Sequence, residues 1–265
     1  MIYDFDTASN RSNTNSLKYD FAKARNMPEG LLPLWVADMD FSAPPKVLED
    51  LRQVASHGIF GYTEVKDAYY AALNAWFSER FGFSFAQRDV VKSPGVVFAL
   101  AQAVRAFTQP GDAVLIQTPV YYPFYEVIRD NGRAIASNPL RYENGAYSID
   151  FADFERKIRS ESVKLFLLCS PHNPVGRVWT RAELEALNEI CERHGVLVVS
   201  DEIHCDFVHA GHRHTCFGLI NQNAVIATAP SKTFNLAGLQ VANIIVPNEA
   251  FRRRFQAEIG KTGYS

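Results

Sequence analysis

Five short, unbroken apolar runs, at 113–117, 164–169, 196–200, 224–229 and 241–246, most constrain what this chain can fold into. Each is bounded by Gly, Pro, Asn or Asp, and most are separated by stretches of helical periodicity. The clearest separator spans 180–194. Thr180 and Glu183 form a capping-box pair at its start, Leu184, Leu187 and Ile190 lie on one stripe, and Gly195 stops it. Strands without polar alternation are buried on both faces, and the helices between them supply parallel crossovers. The expected class is therefore α/β, a mostly parallel sheet covered by helices on both faces.

The residues ahead of this region read differently. The first forty are loop-like, dense in Asn, Asp and Ser, and they end in the Trp-, Met- and Phe-bearing stretch 34–41, which looks like an arm that packs on something else. Ser42 offers an N-cap, and Pro44 and Pro45 suit a first helical turn. Val47, Leu48, Leu51, Val54 and Ala55 then recur at helical spacing until Gly58. A second amphipathic helix is expected near 64–81, with Tyr69, Leu73, Trp76 and Phe77 on one face. The expected division is an arm with part of a small domain over 1–48, and a large domain over 49–265.

Charge and cysteine usage narrow the function classes. Lys plus Arg number 27 against 29 acids, a net charge of −2, so there is no basic excess to neutralise nucleic-acid phosphates. No apolar run approaches the length of a membrane span, and residues 1–6, with Asp4 and Asp6, lack the charged start of a signal peptide. Cys169, Cys191, Cys205 and Cys216 form no C-x-x-C pair and read as reduced thiols, which places the protein in the cytoplasm. The cluster His204, Cys205, His209, His212, His214 and Cys216 has no zinc-site spacing, so no metal is expected.

Parallel α/β sheets bind ligands beyond the carboxyl ends of their strands. The residues that follow the apolar runs include Tyr121 and Tyr122, then Asn173 between two prolines, then Asp201 through His204, then Ser231 and Lys232. One sheet edge is thus expected to gather an aromatic ring, an amide, a carboxylate and an amine. Gly95, ahead of the helical stretch 98–107, would present free backbone N–H groups to a phosphate. A lysine at an apolar strand end can form a Schiff base, and an aspartate can hold a heteroaromatic nitrogen protonated. A tyrosine can stack on such a ring and an asparagine can bond its phenolic oxygen. These are the needs of pyridoxal 5′-phosphate.

The motifs Ser170–Arg177 (SPHNPVGR), Asp201–His204 (DEIH) and Ser231–Gln240 (SKTFNLAGLQ) resemble fold-type I pyridoxal-phosphate enzymes. With Trp35–Phe41 (WVADMDF) and 60–63 (FGYT), they are most similar to the MalY/PatB branch of the class I/II aminotransferase family, the cystathionine or cysteine-conjugate β-lyases. The resemblance covers essentially the whole chain. It implies Lys232 as the Schiff-base lysine and Cα base, Asp201 at the pyridine nitrogen, Asn173 at the ring oxygen and Tyr121 stacked on the ring. It implies Gly95, Val96, Val97 and Ser231 at the phosphate, His204 where many aminotransferases have tyrosine, and Tyr62 reaching into a partner's site across a homodimer interface. Gln240 stands where those enzymes usually have a phosphate-binding arginine, and this departure, like His204, is shared by the lyase branch. The implied reaction is carbon–sulfur cleavage of an amino-acid substrate to a thiol, pyruvate and ammonia. Transamination by the same residues, or a non-catalytic regulatory protein on the same scaffold, are the alternatives, and a metallohydrolase using the histidines is a further rival. The resemblance also implies that relatives continue into a small C-terminal domain with a carboxylate-binding arginine, so this chain is expected to be truncated.

Overall fold

The computed structural model describes residues 4–28 and 30–264; Met1–Tyr3, Glu29 and Ser265, which include the start of the leader reading and both ends of the expected domains, lie outside the described residues. The chain divides into two compact units, one of residues 64–229 and 240–265, the other of residues 1–63 and 230–239. This division falls away from the 48/49 boundary read in the sequence, which stays a proposal for the organisation of the whole protein.

The larger unit is built on nine strands: β1 (Val90–Ser93), β2 (Ala113–Thr118), β3 (Ala134–Pro139), β4 (Arg141–Glu143), β5 (Ala146–Ser148), β6 (Val163–Cys169), β7 (Leu197–Asp201), β8 (Val225–Thr228) and β9 (Ala242–Ile245). Seven of them form one sheet in the order β1-β9-β8-β7-β6-β2-β3, and β4 and β5 form a separate hairpin. The β3, β2, β6, β7 and β8 strands run parallel, while β9 is antiparallel to both of its neighbours. All five apolar runs are strands of this sheet. The helices of the unit are α2 (Asp67–Phe81), α3 (Val96–Phe107), α4 (Pro123–Arg129), α5 (Phe151–Ser160), α6 (Arg181–Arg193) and α8 (Glu249–Gly260).

Alternation along each strand sends successive side chains to opposite faces. Leu115, Phe166 and Val198 pack with α2, α5 and α6 through Phe77, Phe154 and Leu187. Ile116, Leu167 and Val199 pack with α3, α4 and α8 through Leu100, Phe124 and Phe255. The sheet is thus covered on both faces, as its unalternating strands require. Helix α6 starts as the sequence predicts: Thr180 Oγ1 accepts from Glu183 N at 3.2 Å, and Glu183 Oε2 accepts from Thr180 N at 2.7 Å.

The smaller unit contains α1 (Pro45–His57) and the four-residue helix α7 (Pro230–Thr233). One expectation fails in α1. Its N-cap is Pro44 rather than Ser42, with no side-chain capping bond, because two consecutive prolines already fix φ for the first turn. Its apolar stripe is not buried, since no residue of α1 is buried. Periodicity records that a face is apolar and says nothing about what covers it. Gly58 ends the helix at φ +71°, the left-handed cap that glycine adopts without strain.

Candidate active site

In the larger unit the carboxyl ends of β2, β6 and β7 bring three of the expected residues together. The Tyr121 N–H donates to the Asn173 carbonyl at 3.0 Å. Asp201 pairs in register with Cys169, the last residue of β6, and its backbone carbonyl accepts from Ser170 N at 2.9 Å. Its side chain lies on the Val199 face, the face that carries α3. The carboxylate is buried, and Oδ1 accepts from Ile203 N at 3.1 Å. Burial, then the neighbouring Tyr122 and the Asp201 charge, push the half-buried Tyr121 phenol up from its ordinary range. Burial and the same Asp201 charge raise the Cys169 thiol, which keeps it neutral. Asn173 is fixed from below, its N–H donating to Cys169 Sγ at 3.3 Å.

The head of α3 is an uncapped helix N-terminus. Gly95 is its N-cap, no side chain caps it, and its first turn holds no acid. Apart from its chain neighbours, nothing lies within 4 Å of where a Gly95 Cβ would stand. Val96 is buried and Val97 is 39% exposed. His204 is half-buried in the turn after Asp201, edge-on to Phe207 with ring centroids 6.3 Å apart.

His172, not expected to matter, sits between these groups in sequence. Its Nε2 pairs with the Pro119 carbonyl at 2.9 Å, and burial depresses the imidazole to about 4. It is a neutral spacer that holds the loop after β2 to the loop after β6.

Lys232 and Ser231 lie in α7, in the smaller unit, together with Tyr62. Lys232 Nζ donates to the Ala37 carbonyl at 3.1 Å. That carbonyl is aimed by a tight turn in which Asp38 N bonds Val36 O at 2.9 Å, with Val36 at φ +52°. A β-branched residue in the left-handed region is strained, by about 1–3 kcal/mol. Two clamps hold the turn. Arg11 grips Asp38 through two N–H groups at 2.8 and 2.9 Å and reaches Asp40 at 3.0 Å, with Lys18 on Asp40 at 3.1 Å. On the other side Asn235 accepts from Met39 N at 3.0 Å and donates to the carbonyls of Met39 and Phe41, both at 3.0 Å. Asn235, Arg11 and Asp38 were not foreseen; the density of acids in 38–40 beside a tryptophan is the signal that could have found them. A cavity of about 530 Å³ opens beside Met39, Phe41, Phe234 and Asn235, within the size range of small-molecule sites. Tyr62 is fully exposed.

Among the described residues no group of three or more His, Cys, Asp or Glu is placed to hold a metal ion. Among the same described residues no helix is long and apolar enough to cross a membrane. The donor set instead fits a planar, nitrogen-containing ring that bears a phosphate: a stackable phenol, an amide, a buried carboxylate and an uncapped helix N-terminus.

The fold and this donor set are those of a cofactor-binding α/β protein. A model of class I and II aminotransferases matches residues 29–260, and the chain belongs to that family. Within it, the chain is similar to cystathionine β-lyase PatB of Bacillus subtilis, 47% identical over 264 residues, 98% of this chain and 68% of the relative. It is 34% identical to protein MalY of Escherichia coli over 267 aligned positions, 100% of this chain and 68% of that one. Among solved structures it is similar to cystalysin from Treponema denticola, which contains pyridoxal 5′-phosphate. The TM-score is 0.94 at 39% identity, covering 99% of this chain and 68% of that one. The chain thus spans about two thirds of the length of these relatives.

Proposed function

We propose that this protein is a pyridoxal 5′-phosphate-dependent carbon–sulfur β-lyase that cleaves cystathionine or a cysteine S-conjugate to a thiol, pyruvate and ammonia. The observation that carries the reading is the convergence of Tyr121, Asn173 and Asp201 at the ends of β2, β6 and β7, in a chain 47% identical to a cystathionine β-lyase. When bound, the cofactor supplies an electron sink that allows a Cα–H bond to break and a β-thiolate to leave.

The residues have separate tasks in this reading. The buried Asp201 carboxylate would hold the ring nitrogen protonated. Asn173 would donate to the ring oxygen, and Tyr121 would hold the ring by stacking on it. The N–H groups at Gly95, Val96 and Val97 would hold the phosphate at the positive end of α3, a role the resemblance also gives to Ser231. Lys232 would hold the cofactor through its amine and would take the Cα proton of the substrate. His204 shapes the wall beyond Asp201. The protein acts as a cytoplasmic homodimer in which Tyr62 serves the partner's site, consistent with its full exposure.

Incubation of the protein with pyridoxal phosphate and cystathionine, following pyruvate and free thiol together, tests the reading. Equimolar release of both is expected. Keto-acid formation only in the presence of a second keto acid, with no thiol, would instead mark a transaminase.

A further inference from the structure

Asp201 and Glu202 are consecutive at the end of β7, so their side chains leave on opposite faces of the sheet. Glu202 is fully buried. Its carboxylate accepts from Ser200 Oγ at 2.9 Å, from Phe217 N at 2.8 Å and from His214 Nε2 at 2.9 Å. His214 is itself buried and stands edge-on to Phe81, with ring centroids 5.4 Å apart. A buried carboxylate–imidazole pair is a costly way to fill a core, because apolar residues of the same volume commonly match or exceed its stability. Packing alone does not account for it.

Its position does. The Glu202 N–H donates to Ala227 O in β8 at 2.8 Å, and its carbonyl accepts from Cys205 N at 3.0 Å. The same turn supplies the Ile203 N–H that orients Asp201 Oδ1, and Phe207 N closes it onto His204 O at 2.9 Å. The turn that aims Asp201 therefore hangs from a side chain fixed at three points on the far face. Loss of that anchor is expected to loosen the turn and, with it, the Ile203 N–H bond to Asp201 Oδ1.

We propose that Glu202, braced by His214, is a positioning residue that fixes the Asp201 carboxylate from behind the sheet. The proposal rests on the reading above, in which Asp201 faces the ring nitrogen of bound pyridoxal phosphate. A double-mutant cycle on the loaded protein tests it. Glu202→Gln is introduced into the wild type and into Asp201→Asn, and two quantities are read: the dissociation constant for pyridoxal phosphate and the pH midpoint of the bound cofactor's visible absorption. Glu202→Gln is expected to weaken binding by about tenfold in the wild type, roughly 1.4 kcal/mol, and by less than about twofold in Asp201→Asn. The pH midpoint moves only where Asp201 is present. Far-ultraviolet circular dichroism checks the fold, and His214→Phe, which keeps the ring and removes the donor, is read in the same way should Glu202→Gln not fold. Equal losses in the two backgrounds, or an unmoved midpoint, overturn the proposal and leave Glu202 a packing group. Asp201→Asn binding the cofactor like the wild type overturns the reading of the site as well.

Discussion

In the larger unit Phe124, Phe154 and Phe166 are wholly buried, and the three groups that converge at its sheet edge stand on that core. In the unit that carries Lys232, α1 has no buried residue, and Leu34 and Phe60 are 90% and 76% exposed. What orders this second unit is polar: the Arg11–Asp38 and Lys18–Asp40 pairs and the three bonds of Asn235. The groups assigned to the flat ring are therefore mounted on apolar packing, which is stiff and insensitive to salt. The amine assigned to proton transfer is mounted on hydrogen bonds and ion pairs, which are directional and individually weak.

The sharpest break in this contrast is Lys232→Ala. Pyruvate release should fall by at least about a thousandfold, with the melting temperature of the sheet unchanged. Persistent turnover would remove the amine from the reaction. Phe166→Ala should do the reverse, costing about 3–5 kcal/mol of unfolding free energy in denaturant titration because a large cavity opens beside Phe154, whose ring centroid lies 5.0 Å away.

His172 gives the pH arm. Its imidazole is depressed to about 4 in the fold and returns to the ordinary range near 6.5 on unfolding. Above that range both states are neutral and stability is full. As pH falls toward 4 only the unfolded chain takes the proton, so about 2 kcal/mol should be lost by pH 5. His172→Phe should flatten that part of the stability–pH curve.

Thr180→Ala removes the α6 cap and should cost about 1 kcal/mol by chemical denaturation. Phe60→Ala, on the exposed stretch before Tyr62, should stay within about 0.5 kcal/mol in the isolated chain. A larger loss would mean that this stretch is covered in solution, and would bring the two units closer in character.

The sheet and its site were legible for the same reason. Buried parallel strands are continuous apolar runs, and ligand groups collect after them, so Tyr121, Asn173 and Asp201 could be placed by counting along the chain. The strands without that signature were missed. In β3 the order Ala134-Ile-Ala-Ser-Asn-Pro139 mixes polar groups into an edge strand, and β1 is only four residues long. The boundary between units was not legible, because residues 230–239 join residues 1–63 through Asn235 and Lys232, contacts almost two hundred positions apart that no local pattern encodes. Glu202 was passed over since a carboxylate beside Asp201 looks like a second solvent-facing acid until its three donors are seen.

The Asn235 amide has a consequence for how the protein matures. It ties the peptide groups of Met39 and Phe41 to a residue three positions beyond Lys232. The 36–41 turn leaves the ribosome 196 residues ahead of its clasp, so it must wait, unfastened, while that stretch is synthesised. Lys232 and the 36–41 turn then become ordered in one late event, and damage to either should be felt by the other.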